Sequence, residues 1–149
     1  MAEGSVKEVQ SVIDRYISAY VNRSLNELSS CVATDENLLA FGTDKDESWA
    51  GWKGYSAAAD TLFRVAKEIS WKRGKTSIVF ARCGQVAWFC EELSGRFVTG
   101  GNQSECAFRL SGTAENRDGK WVIVQFHRSV PVEGCAVPYL ETHGVRFFE

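Results

Sequence analysis

The stretch Asp118-Gly119-Lys120-Trp121-Val122-Ile123-Val124-Gln125-Phe126-His127-Arg128-Ser129-Val130-Pro131 decides how the rest of the chain is read. It opens on a turn dipeptide, runs through β-branched and aromatic residues, and stops at a proline that cannot continue a sheet ladder. Side chains alternate between the faces of a strand. Strict alternation places Val122, Val124, Phe126 and Arg128 on one face and Trp121, Ile123, Gln125 and His127 on the other. The first face is apolar until it ends in a guanidinium, as when a strand leaves a core for a polar pocket or a rim.

Upstream of this strand lie three more stretches with strand character, about residues 70–81, 85–93 and 104–113, and the strand itself spans about 120–130. Gly84, Gly100-Gly101-Asn102 and Asp118-Gly119 supply the turns between them. The first third is helical. Val9, Val12, Ile13, Tyr16, Ile17 and Tyr20 recur at three- and four-residue spacing and predict a helix over 5–22, with Ser5 and Glu8 as a capping box. Ser24, followed by Glu27, caps a short second helix carrying Leu25, Leu28, Cys31 and Val32. Residues 38–41 form a short strand closed by Gly42, and 43–51 read as a polar loop. A third helix fits 53–67, with Ala58, Ala59, Leu62, Phe63 and Ala66 on one side. Helices first and a strand meander after them make an α+β chain. The tail beyond Pro131 carries Tyr139, Val145, Phe147 and Phe148, and must dock on its own body or on a partner subunit.

At 149 residues the chain is expected to form a single domain, 1–149, able to bury a core without staples. A net charge of −2 with no basic block argues against nucleic acid as a partner. No secretory signal is evident in Met1-Ala2-Glu3-Gly4-Ser5, and no apolar run reaches the length of a membrane span. Five cysteines, an odd number without CxxC spacing, read as thiols in a reducing, cytoplasmic setting. His127 and His143 stand sixteen positions apart with no clustered cysteines, so no metal and no cofactor is expected.

Two helices, a short strand, a third helix and a long antiparallel meander resemble the SnoaL-like, nuclear transport factor 2-like superfamily. The local matches are Asp118 to Ser129, Gln85-Val86-Ala87-Trp88-Phe89 and Asn102-Gln103-Ser104-Glu105. The first and third are similar to strands of the association domain of calcium/calmodulin-dependent protein kinase II. The resemblance implies a cone-shaped fold in which a curved sheet wraps the helices around a pocket. In ketosteroid isomerases of this superfamily a helix-one tyrosine, a base carboxylate and a late-strand acid do the chemistry. Tyr16 matches the tyrosine, but the base falls near Ala40 and the acid near Cys106 or Ala107, so two of three groups are missing. Arg128 matches one arginine of the association-domain pocket, while Cys90 and Phe108 stand where others would be.

Arg128 is the first candidate ligand contact, since a guanidinium suits a carboxylate, phosphate or polarised carbonyl; the competing role is an ion pair with Asp14, Glu91 or Glu92. Tyr16 is either a pocket hydroxyl or a core tyrosine. The family geometry implies that Val86, Trp88, Cys90 and Glu92 look inward, which would make Trp88 a wall and Glu92 the one acid able to act as a base, against a purely structural role. Tyr16, Phe63, Trp88, Phe108 and Phe126 would line the pocket, with Trp49, and Trp52 beyond it, near a lid. Trp121, Ile123, Gln125 and His127 would face a second subunit, giving a homodimer or larger ring. Cys90 and Cys106 read as small hydrophobes that neighbour each other across strands. The function expected is binding of a small apolar or carboxylate-bearing molecule, with isomerase or lyase chemistry lacking the usual carboxylates. The alternative is a non-catalytic assembly domain.

Overall fold

The computed structural model describes residues 3–134. The apolar tail, with His143, and Cys135 lie outside the described residues. The order is α1 (Glu3–Val21), α2 (Leu25–Cys31), β1 (Leu39–Phe41), β2 (Ser48–Ala50), α3 (Trp52–Val65), β3 (Ala66–Phe80), β4 (Val86–Thr99), β5 (Asn102–Arg117) and β6 (Lys120–Ser129). One six-stranded sheet has the order β2-β1-β6-β5-β4-β3. Neighbours are antiparallel except β1 and β6, which run parallel. The fold is α+β: the sheet curves without closing, and the helices cover its inner face in the cone arrangement expected from the resemblance.

The α1 stripe Val9, Val12, Ile13, Tyr16, Ile17 and Tyr20 is buried as its periodicity requires. Ser24 caps α2, its hydroxyl accepting from Glu27 N–H at 3.1 Å. Ser5 does not cap α1, because the helix already begins at Glu3. Asp118 and Gly119 both have positive φ, 53° and 88°, and join Arg117 to Lys120 in a two-residue turn suited to the twist of a hairpin.

β4 and β5 are longer than the sequence predicts, and Gly95 explains why. It stands opposite Trp71 in mid-strand, and a Cβ there would lie 2.8 Å from Phe108, 3.1 Å from Phe97 and 3.3 Å from Trp71. The glycine is therefore a packing residue rather than a break. The polar stretch 43–51 also contains β2, which pairs with β1 instead of remaining a loop.

Two face assignments are corrected by the structure. On β4 the inner residues are Ala87, Phe89, Glu91 and Leu93, while Trp88, Cys90 and Glu92 are exposed on the outer face. Both phases of this strand alternate apolar residues with one acid, so periodicity cannot choose between them. On β6 the pairs Thr113–Gln125 and Ala114–Ile123 skip Val124, which is the extra residue of a β-bulge. Beyond the bulge the phase reverses. Trp121 and Ile123 turn inward, 4% and 0% exposed, and Trp121 Nε1 donates to Glu8 on α1 at 3.2 Å. They cannot be interface residues on the outer face. Gln125 and His127 remain on that side, and His127 is exposed.

Candidate functional site

Helical spacing puts Tyr16 and Tyr20 one turn apart on the buried face of α1. α3 brings Tyr55 to them, and the Tyr20 and Tyr55 hydroxyls share a hydrogen bond of 2.8 Å. β3 brings Trp71, whose ring stacks on Tyr20 at 4.5 Å with 18° between planes. β6 brings Phe126 and, two residues on and so on the same face, Arg128. The Phe126 ring lies 5.3 Å from Tyr16 and 5.0 Å from Tyr55. The Arg128 guanidinium carbon lies 5.1 Å from the Tyr20 ring centre and 5.7 Å from that of Phe126, within cation–π range.

Arg128 is only 9% exposed, yet among the described residues it has no ion-pair or hydrogen-bond partner, and its Nε is fully buried. The competing ion pairs are not formed. Across the inner face Arg128 sits opposite Leu110 and Leu110 opposite Glu91, so the carboxylate is two strand spacings, about 10 Å, away. Arg73 holds it instead, Nε donating to Oε1 at 2.7 Å and a terminal nitrogen to Oε2 at 3.2 Å, with Thr76 also donating to Oε2. Arg73 also binds Asp14, and Glu92 faces outward. Burial disfavours the charge of Arg128, and the nearby Glu47 carboxylate favours it.

Burial pushes the Tyr16 and Tyr55 pKa values well above the usual phenol value, so both hydroxyls stay protonated and able to donate. The Tyr16 hydroxyl lies beside those of Tyr20 and Tyr55 but makes no hydrogen bond of normal geometry. The Trp71 indole Nε1 is likewise buried and unpartnered. The interior thus holds two unpartnered nitrogen donors beside a group of phenols, with no carboxylate hydrogen-bonded among them. Such a set can hold an anionic or developing oxyanion oxygen. None of these residues is itself a carboxylate, imidazole or thiol.

The sequence candidates divide accordingly. Tyr16, Phe126, Phe63 (against Tyr20 at 5.2 Å) and Phe108 (against Trp71 at 5.1 Å) gather around Arg128 and its neighbours. Trp49 and Trp52 are half-buried and pack on Tyr55 at 5.4 and 6.0 Å. Trp88, 47% exposed, is on the opposite face of the sheet and cannot wall the interior, and Glu92 cannot serve as a base there. Tyr20, Tyr55 and Trp71 belong to the cluster although sequence reasoning assigned them no site role. Tyr20 carried a signal, standing one turn from Tyr16. Ala40 is buried and offers no proton acceptor. Cys90 pairs with Ser111 and Cys106 with Gly95, so the two thiols are not neighbours, and both are exposed.

The rings fill the interior, and the surface grooves lie elsewhere. Two, of about 440 and 460 Å³, run along β3, β4 and β5, and a third of about 360 Å³ lies between α1 and the β5–β6 turn. None of these three is lined by Arg128 or the three tyrosines. Among the described residues there is no group of three or more His, Cys, Asp or Glu able to hold a metal, and no helix long and apolar enough to cross a membrane.

The family model for the SnoaL-like domain matches residues 9–133. No curated protein matches the chain at a significant level. A nuclear transport factor 2-like superfamily protein from Salmonella enterica serovar Typhimurium superposes with a TM-score of 0.80 at 15% identity, covering 89% of this chain and 95% of that one. A proposed dehydratase of the same family from Streptomyces avermitilis gives 0.79 at 11% identity, covering 88% and 99%. A proposed calcium/calmodulin-dependent protein kinase II association domain from Xanthomonas campestris gives 0.72 at 19% identity, covering 85% and 88%. At these identities the likenesses show the fold.

Proposed function

We propose, since the chain belongs to the SnoaL-like domain family, that it binds a small molecule through an anionic or strongly polarised oxygen docked on Arg128. One observation carries this: a buried guanidinium with no carboxylate hydrogen-bonded or ion-paired to it among the described residues. Burying a charge without a partner is costly, and a fold that needed only an apolar filler would do better with methionine. Tyr16 supplies a second donor in the same cluster, and the aromatic rings supply the apolar body of the site. Stabilisation of an enolate-like oxygen by Arg128 and Tyr16 is what isomerase or lyase chemistry would draw from this set. The proton would have to move through the ligand or a carboxylate such as Glu47, because position 40 is alanine.

The test is a panel of small carboxylates and enolisable ketones screened by thermal shift. Arg128-dependent stabilisation is expected, and it should vanish in Arg128→Met. Stabilisation that survives this substitution would place the site elsewhere.

A second proposal, self-association, rests on the outer face of the sheet. Register aligns Leu39, Gln125, Thr113, Trp88 and Val79 in one row across five strands, and Phe41, His127, Ser111, Cys90 and Ser77 in the next. Leu39, Phe41, Val79 and Trp88 are 47–55% exposed, and neither row contains Asp, Glu, Lys or Arg. An apolar face without charge can meet a second copy of itself without repulsion. The partner surface is therefore Trp88, Phe41 and Leu39 with Gln125 and His127. Light scattering should give a dimer mass that Trp88→Lys halves; an unchanged mass would rule this face out.

A further inference from the structure

We infer that the indole N–H of Trp71 is a second recognition donor, so that the molecule anchored by Arg128 carries a second acceptor oxygen at the far end of a flat body. The inference rests on the anion site proposed above. Trp71 is 8% exposed on the inner face of β3, and its Nε1 is fully buried without a partner. A buried donor left unmade costs free energy, and native interiors seldom carry one without a reason. Here two such donors, the Trp71 indole and the Arg128 Nε, lie against the same phenol ring, that of Tyr20. One molecule of one- or two-ring size can touch both.

The pyrrole edge of Trp71 also has room made for it. Gly95 stands directly opposite in the sheet, and the nearest indole atom to a Cβ placed there is Cδ1, the neighbour of Nε1, at 3.3 Å. Any side chain at position 95 would press on that edge and on Phe97 and Phe108. The nearly parallel rings of Tyr20 and Trp71 are in contact, 4.5 Å between centres, so the body enters beside them, and a flat one displaces least. Because both ends of the site are donors, the ligand class is a carboxylate with an unsaturated body and a carbonyl opposite the carboxylate, that is, a keto carboxylate.

Two probes isolate the second contact. 4-Acetylbenzoate has the carbonyl, and 4-isopropenylbenzoate replaces it with a methylene of the same shape. Isothermal calorimetry on the full chain should show about a tenfold preference for the acetyl compound, the worth of one net hydrogen bond. Trp71→Phe, which keeps a ring but loses the N–H, should erase the preference while leaving the isopropenyl compound within about twofold. Gly95→Ala should reduce the preference with the indole intact. Arg128→Met should abolish binding of both probes. Equal binding of the probes to the unmodified chain, or equal weakening of both by Trp71→Phe, would overturn the role of Trp71 and leave the Arg128 site standing. The first result would mean that the N–H is satisfied by water or by the Phe108 ring. Binding that persists in Arg128→Met would overturn the anion site itself. If neither probe binds while other carboxylates bind through Arg128, the keto-carboxylate assignment fails alone; if none binds, both fail.

Discussion

Two arginines lie on the inner side of the sheet, and the fold treats them oppositely. Arg73 is surrounded by acceptors, with Glu91, Asp14 and Thr76 on or near its guanidinium. Arg128 is surrounded by rings, with Tyr20 and Phe126 beneath it and no carboxylate in contact. The first is a tie between α1, β3 and β4. The second costs stability and ties nothing. Burial alone does not separate a structural ion from a functional one; what its partners leave unsatisfied does.

Substitution should expose the contrast most clearly at Arg73. Arg73→Met leaves the fully buried Glu91 carboxylate without its cation and is expected to cost about 3–5 kcal/mol in urea unfolding. A loss under 1 kcal/mol would make the two arginines alike. Next in size is a pH effect on the apolar side of the core. Burial pushes the Cys31 thiol from 9.0 up to about 12. The fold favours the protonated thiol, so its contribution is whole below pH 9 and is lost as pH rises towards 12, roughly 4 kcal/mol at most. The raised phenols Tyr16 and Tyr55 add to the same alkaline loss above pH 10.0. Urea midpoints should therefore fall from pH 9 upward, and Cys31→Ala should flatten the first part of the decline. Arg128→Met is expected to act in the opposite sense to Arg73→Met, raising stability by about 1 kcal/mol while removing ligand binding. A destabilised Arg128→Met would return Arg128 to the structural class. Smallest is Trp88→Lys, which should leave the subunit's own stability within about 0.5 kcal/mol while altering its mass in solution.

Much of the fold was legible because its signals are local. The α1 stripe, the Ser24 cap, the Asp118-Gly119 turn and the strand before Pro131 each announce themselves within a few residues. Arg128 and Tyr16 were legible as candidates for the same reason. Faces were not. The β4 phase is ambiguous because Glu91 and Glu92 are adjacent, and only the distant Arg73 decides which acid can be buried. Trp121 and Ile123 were assigned outward because a bulge leaves no composition signature when the extra residue is another valine. Tyr55 and Trp71 reach Tyr20 across thirty-five and fifty-one positions, and spacing within one element cannot report such a meeting.

The bulge at Val124 makes β6 a strand with two independent halves. The half before it fastens the sheet to α1 through Trp121 and Ile123, and the half after it aims Phe126 and Arg128. A deletion of that single valine would put both halves in one phase. The inner face would still carry Ile123, Phe126 and Arg128, whose partners Ala114, Gly112 and Leu110 already alternate without a gap; straightening the strand with the valine kept would instead send His127 inward and Arg128 outward. One residue thus acts as a hinge of parity: only because the bulge absorbs it do the two halves of the strand face the same interior.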